Sequence, residues 1–162
     1  MLPYPHLVCV AATTLVLAAC SSKQDDAKPT TPVGMSWTVD GMAVSTTTTQ
    51  SQKSSGTVSI AGTAAGSTAG YVSLEIPNAV GIYTFSPTST ASALYSTPAP
   101  STTTVYYAGA STSSGGVTVM GGGTIVVTSL TATNVTGTFT FTGVNQSGAS
   151  KAITDGTFNV GL

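Results

Sequence analysis

Gly137-Thr138-Phe139-Thr140-Phe141-Thr142-Gly143 places an aromatic ring and a threonine on alternate positions. A period of two is the signature of a β-strand with one face buried and the other solvated, so the phenylalanines point inward and the threonines outward. The same alternation runs through the rest of the second half. Gly116–Met120 and Gly123–Leu130 read as strands joined by the glycines at 121–123, and residues 131–136 turn the chain into the Phe/Thr strand. After a second turn at 144–150, Ala152–Val160 closes the domain with Ile153, Phe158 and Val160, and Asp155-Gly156 bends or bulges that last strand.

Upstream, Met35, Trp37 and Val39 alternate with Ser36 and Thr38, Asp40-Gly41 follows, and Met42 and Val44 resume the pattern. Asp-Gly between two alternating runs predicts a two-residue hairpin, because a type I′ turn needs positive φ at both central residues. Further strands are expected at Thr57–Ala61, Tyr71–Ile76 and Gly81–Phe85. Residues 86–100 read as a long Pro- and Ser/Thr-rich loop, broken by a short edge strand at 93–95, and Thr103–Ala108 is the next strand. No stretch after residue 20 carries a helical period. Short strands with turn residues about every ten positions predict an all-β fold, an antiparallel sandwich or a small partly open barrel. A transmembrane barrel, whose strands need about 9–11 residues and a lipid-facing apolar band, does not fit them.

Composition agrees. Charged residues are 6% of the 162-residue chain, against roughly 25% in an ordinary soluble domain. The net charge is −1 and arginine is absent, so there is no electrostatic footprint for nucleic acid or anionic lipid. The β-branched and aromatic residues recurring among the Ser, Thr and Gly argue against disorder and for strands with hydroxylated outer faces.

The N-terminus has a different character. Leu7–Ala19 is an apolar run of the length of a signal h-region, short of the roughly 20 residues that span a bilayer. Leu17-Ala18-Ala19-Cys20, followed by Ser21-Ser22, resembles the lipobox of bacterial lipoproteins. That resemblance implies a diacylglyceryl thioether on Cys20, cleavage before it and acylation of the new amine; two or more chains anchor stably where one does not. The n-region 1–6 departs from the pattern in having no Lys or Arg. Either His6 and the terminal amine suffice or a basic residue lies upstream. Residues 1–19 are thus read as signal peptide, 20–33 as lipidated cysteine and proline-punctuated tether, and 34–162 as the β domain. Lys23-Gln24-Asp25-Asp26 resembles the surface-export signal of Bacteroidetes lipoproteins; a solvated charged tether accounts for it equally. These features place the protein in the bacterial cell envelope, as an outer-membrane lipoprotein that surface export would expose.

Met35-Ser-Trp-Thr-Val-Asp-Gly41, Gly81-Ile-Tyr-Thr84, Thr124-Ile-Val-Val-Thr-Ser-Leu130, Gly137-Thr-Phe-Thr-Phe-Thr142 and Ile153-Thr-Asp-Gly-Thr-Phe-Asn159 are together similar to the small all-β lipoproteins of Bacteroidetes that are domains of unknown function. The resemblance covers most of 35–160 and implies fold, organism group and localisation, with no activity attached.

The residue inventory narrows the chemistry. The single histidine is His6, Cys9 is in the leader and Cys20 is the lipid site. No Ser-His-Asp or Cys-His arrangement is possible in the β domain, and no His- or Cys-ligated zinc. Gly121–Gly123 lacks the Lys and helix of a phosphate loop. Of the three carboxylates past the tether, Asp40 and Asp155 precede glycine in turns and Glu75 takes the outward parity of its strand. Asp155 with Asn159 is too sparse for calcium. Lys53 and Lys151 are expected in polar loops. Tyr83, Tyr95, Tyr106 and Tyr107 are the candidate ligand contacts, a surface on which a sugar or peptide would stack; ordinary cross-strand pairing accounts for the same residues and is the reading we favour. Trp37 is expected as a core anchor, with an exposed sugar platform as the alternative. The row Thr138, Thr140, Thr142 is read as β-propensity on a low-charge surface in preference to an ice- or mineral-binding array.

The expectation is therefore a cofactor-free, non-enzymatic, membrane-anchored envelope lipoprotein that takes a glycan or protein ligand and no nucleic acid. A purely structural coat component is the alternative, and a carboxylate glycosidase a weaker one.

Overall fold

A computed structural model describes residues 33–64, 70–98, 103–109 and 121–162. The leader, Cys20 with its lipobox, most of the tether and the expected strand at 116–120 lie outside the described residues. The described residues contain eleven strands and no helix: β1 Gly34–Val39, β2 Met42–Thr46, β3 Thr49–Lys53, β4 Thr57–Thr63, β5 Tyr71–Pro77, β6 Gly81–Phe85, β7 Ser92–Ser96, β8 Val105–Gly109, β9 Gly122–Leu130, β10 Asn134–Val144 and β11 Ser150–Gly161.

All the pairings are antiparallel, and they run β2-β1-β11-β10-β8-β7-β5-β4-β3. The sheet nearly closes into a barrel because its two end strands are consecutive in sequence. The chain crosses from β2 to β3 through Thr47 and Thr48, pairing first with β1 and then with β4. Thr46 Oγ1 donates to the Thr63 carbonyl at 2.6 Å and Thr63 N–H to the Thr48 carbonyl at 3.0 Å, which ties the corner. On the far side β10 serves two neighbours, β9 along most of its length and β8 at Val144↔Tyr107, and β6 extends the branch beyond β9.

The Phe/Thr stretch behaves as its period requires. In β10 Val135, Gly137, Phe139, Phe141 and Gly143 are buried, while Thr138, Thr140 and Thr142 are exposed. Phe139 stacks on Phe141 at 6.2 Å and tilts against Phe158 at 6.4 Å, and Phe85 meets Phe141 edge-on at 6.1 Å. Each such pair adds about 0.5–1.5 kcal/mol beyond area burial. The two glycines bracketing the stretch admit close neighbours: the Phe158 ring covers Gly137, and the Cβ and backbone of Tyr106 cover Gly143. These side chains join Trp37, Ile60, Leu74, Ile76, Ile125 and Ile153 in one core.

Asp40 and Gly41, at φ 52° and 77°, make the two-residue hairpin expected between β1 and β2, with Val39 opposite Met42. Asp155, at φ 51°, forms the bulge expected in the last strand. Two residues of β11 there oppose one on each flanking strand, Thr140 in β10 and Trp37 in β1.

Three expectations are corrected. β3, Thr-Gln-Ser-Gln-Lys, is a strand that period two does not reveal, because four of its five residues are exposed. β7 is no edge strand: it pairs β5 on one side and β8 on the other. Neither lysine sits in a loop, since Lys53 ends β3 and Lys151 lies in β11.

Candidate functional site

The candidate aromatics separate by strand parity. Tyr95 and Tyr106 are cross-strand partners whose rings lie 6.2 Å apart, and they face the interior. Tyr95 is 2% exposed, which corrects its place among the ligand contacts. Tyr83 is half-buried against the core and spends its hydroxyl on the Ala79 carbonyl at 2.9 Å. Tyr107 alone of the four takes the outward parity of its strand beside an open cleft, in the row Ser73, Leu94, Tyr107, Val144. The four tyrosines therefore do not build one surface. Trp37, 1% exposed, is the core anchor and not a platform, and its indole N–H has no partner among the described residues.

Beside Tyr95 and Tyr106 sits an ion pair. Lys151 Nζ donates to Asp40 Oδ2 at 2.6 Å and lies 5.8 Å from the Tyr106 ring centre. The hydrogen bond to Asp40 raises the Lys151 pKa against the opposing effect of burial. Burial also raises the Tyr95 phenol, an effect that Lys151 partly offsets. The pair fastens the β1–β2 turn to β11, and with Asp40 exposed its contribution to stability is small.

The carboxylates do not form an obvious pair. Asp40 is in a turn with Lys151, Glu75 is on the outer face of β5 between Ser59 and Ser92, and Asp155 is in the β11 bulge. Among the described residues no three His, Cys, Asp or Glu cluster as metal ligands.

The outward threonines belong to a wider hydroxylated face. Ile82, Val126, Thr138, Thr157, Ser36 and Ser45 form one cross-strand row. Several of its hydroxyls are committed. Ser36 Oγ and Thr157 Oγ1 bond each other at 2.7 Å, and in the neighbouring row Thr140 Oγ1 donates to the Ile153 carbonyl at 3.2 Å. These bonds satisfy the sheet's own groups, as β-propensity requires.

Tyr107 lines a cleft of about 380 Å³ with Thr103 and Thr104 from the approach to β8, Val105 at its start, and Asn145, Gln146 and Ser147 from the β10–β11 turn. The turn is tightly built. Asn145 Oδ1 accepts from Ser147 N–H at 3.1 Å, Ser147 Oγ at 2.8 Å and Ala149 N–H at 2.9 Å, while Gly148 takes φ 83°. Across the cleft, Thr97 and Thr104 are joined by three hydrogen bonds. Among the described residues, no carboxylate or lysine lines it. Sequence reasoning found Tyr107 by its aromaticity and missed Gln146 and Asn145, which look like ordinary turn residues.

The cleft and the start of the domain lie at opposite ends of the barrel. Gly34 pairs Asn159, which pairs Thr136 near the start of β10, whereas the cleft lies beyond Val144 at its end. At ~3.3 Å per residue the separation along β10 is roughly 25 Å.

The family described as "Domain of unknown function (DUF6252)" matches residues 38–160, from within β1 to within the last strand. Neither a curated protein nor a solved structure matches the chain.

Proposed function

Since the chain belongs to the DUF6252 family, which carries no assigned activity, we propose a function from its own residues: a lipid-anchored envelope protein that presents a non-catalytic binding domain. Leu17-Ala18-Ala19-Cys20 supplies the lipid site and residues 20–33 the tether, in the manner of the small surface lipoproteins of Bacteroidetes. The observation that carries the reading is the placement of the Tyr107 cleft at the end of the barrel opposite Gly34, where the chain enters the domain. The chain thus enters the domain at the end away from the cleft, so the point of entry does not cover it. The absence of His, Arg and Cys after residue 20, with the carboxylates on separate elements, supports binding without catalysis.

Expression of the full chain with labelled palmitate tests the anchor. The wild type is expected in the membrane fraction and labelled, and Cys20→Ser soluble and unlabelled. Equal fractionation of the two, or label retained in Cys20→Ser, would refute it.

A further inference from the structure

We propose that the Tyr107 cleft binds a neutral carbohydrate, with one pyranose ring lying on the tyrosine and its hydroxyls meeting the side chains around it. The proposal rests on the binding role argued above and names its ligand class.

Tyr107 offers an aromatic face at an outward position, where the apolar C–H face of a sugar ring stacks. Gln146, on the rim, presents an amide that both donates and accepts, and it makes no hydrogen bond to other described residues. Thr103 adds a hydroxyl, and Ser147 Oγ, whose proton goes to Asn145 Oδ1, adds an acceptor. Sugar hydroxyls are themselves both donors and acceptors, so amide and hydroxyl partners suit them in either sense. Small-molecule sites characteristically combine an apolar floor with a few placed polar groups in about 300–1,000 Å³, and about 380 Å³ lies at the small end of that range, enough for one or two rings.

Other ligand classes fit less well. Phosphates and carboxylates call for cationic partners. Of the two lysines among the described residues, Lys151 is turned to Asp40 and the Tyr106 ring and Lys53 to the Thr131 carbonyl. An apolar ligand would leave the amides and hydroxyls unpaired, at about 1–3 kcal/mol for each polar group it desolvates. An extended peptide is captured along a strand edge by a ladder of backbone bonds. Here the polar groups come from a turn and from the approach to β8, not from such an edge. The bonds made by Asn145 Oδ1 and between Thr97 and Thr104 hold both walls before a ligand arrives, which lowers the ordering cost of binding.

The test uses the full chain in a sugar-free detergent on an array of neutral oligosaccharides. Sulfated and uronic-acid glycans and unrelated peptides share the slide. The wild type is expected to retain neutral sugars, with little change between low salt and about 0.5 M salt because no ion pair forms. Tyr107→Ala is expected to lose about tenfold or more, a difference of about 1.4 kcal/mol. Gln146→Ala, an exposed change that leaves the fold intact, should lose several-fold, and Thr138→Ala, six residues from Val144 along β10, nothing. A blank array, a preference for charged glycans or peptides, or undiminished binding by Tyr107→Ala and Gln146→Ala would overturn the proposal. A blank array with Cys20 lipidated removes this inference alone; sugar binding with Cys20 unmodified removes the anchor alone.

Discussion

Gly137→Ala is the most informative single substitution in the barrel. Position 137 carries the inward parity of β10, and a methyl group there would overlap the Val126 carbonyl oxygen of β9 and the Phe158 ring, with the ring's Cε1 at 2.9 Å. The ring is 1% exposed and packed against Phe139, so it has nowhere to swing, and the carbonyl belongs to a paired strand. Overpacking of this kind costs about 1–3 kcal/mol, and a backbone atom among the clashes puts the expected value at about 2–3 kcal/mol. For a domain of this size the melting midpoint then falls by roughly 6–15 °C. In urea, at about 1.5–2 kcal/mol per molar, the midpoint falls by roughly 1–2 M with an unchanged slope. Trp37, the single tryptophan and a core residue, reports the transition through its fluorescence. Thr138→Ala, one residue away on the solvent face, is the control and should shift the midpoint little. Adding Phe158→Leu to Gly137→Ala should cost less than the sum of the two singles by about 0.5 kcal/mol or more, because one of the two obstacles shrinks. The Val126 carbonyl remains, so the relief is partial. A Gly137→Ala midpoint equal to that of Thr138→Ala, or strict additivity with Phe158→Leu, would refute the claim that a buried ring occupies this slot.

Three further outcomes are expected. At the β11 bulge, where φ is 51°, Asp155→Gly should be neutral or stabilising by up to about 1 kcal/mol, and Asp155→Val should cost about 1–2 kcal/mol; the reverse order in urea melts would contradict the left-handed conformation. Lys151 and Tyr95 both titrate above their ordinary values of 10.5 and 10.0, so what each adds to stability is complete below about pH 10 and lost as pH rises through the folded-state pKa. Urea midpoints should accordingly hold level up to that point and fall above it, and a midpoint that rises on the alkaline side would be inconsistent. Asn145→Ala removes the acceptor of three hydrogen bonds in the β10–β11 turn and should cost about 1–2 kcal/mol while weakening retention on the sugar array; an unchanged melt would show the turn to be held by other means.

What sequence alone disclosed followed from where each strand buries its side chains. β10, β1 and β5 bury every second residue, and the alternation shows directly. The Asp40-Gly41 hairpin and the Asp155 bulge were legible because their backbone geometry demands positive φ, which few residues supply. β3 was not legible, since a half-strand at the barrel corner buries almost nothing and Thr-Gln-Ser-Gln-Lys has no period. β7 was visible as a strand, but its position between β5 and β8 was not, because neighbour order is a property of long-range pairing that no local pattern encodes. The tyrosines show the same limit. Adjacency told that Tyr106 and Tyr107 face opposite sides, and only the pairing with Tyr95 decided which side is the interior. The cleft drew its other wall from the β10–β11 turn, whose amides become partners of Tyr107 only when Val144 meets that residue across strands.

The central claim is that residues 1–19 are removed and that Cys20 becomes a lipidated N-terminus behind which this barrel is displayed. Mass spectrometry of the N-terminal peptide of the mature protein addresses it most directly. The account predicts a peptide that begins at Cys20 and carries a diacylglyceryl thioether with an acylated amine. An unmodified Cys20, or a peptide that still contains Leu17-Ala18-Ala19 ahead of it, would contradict it.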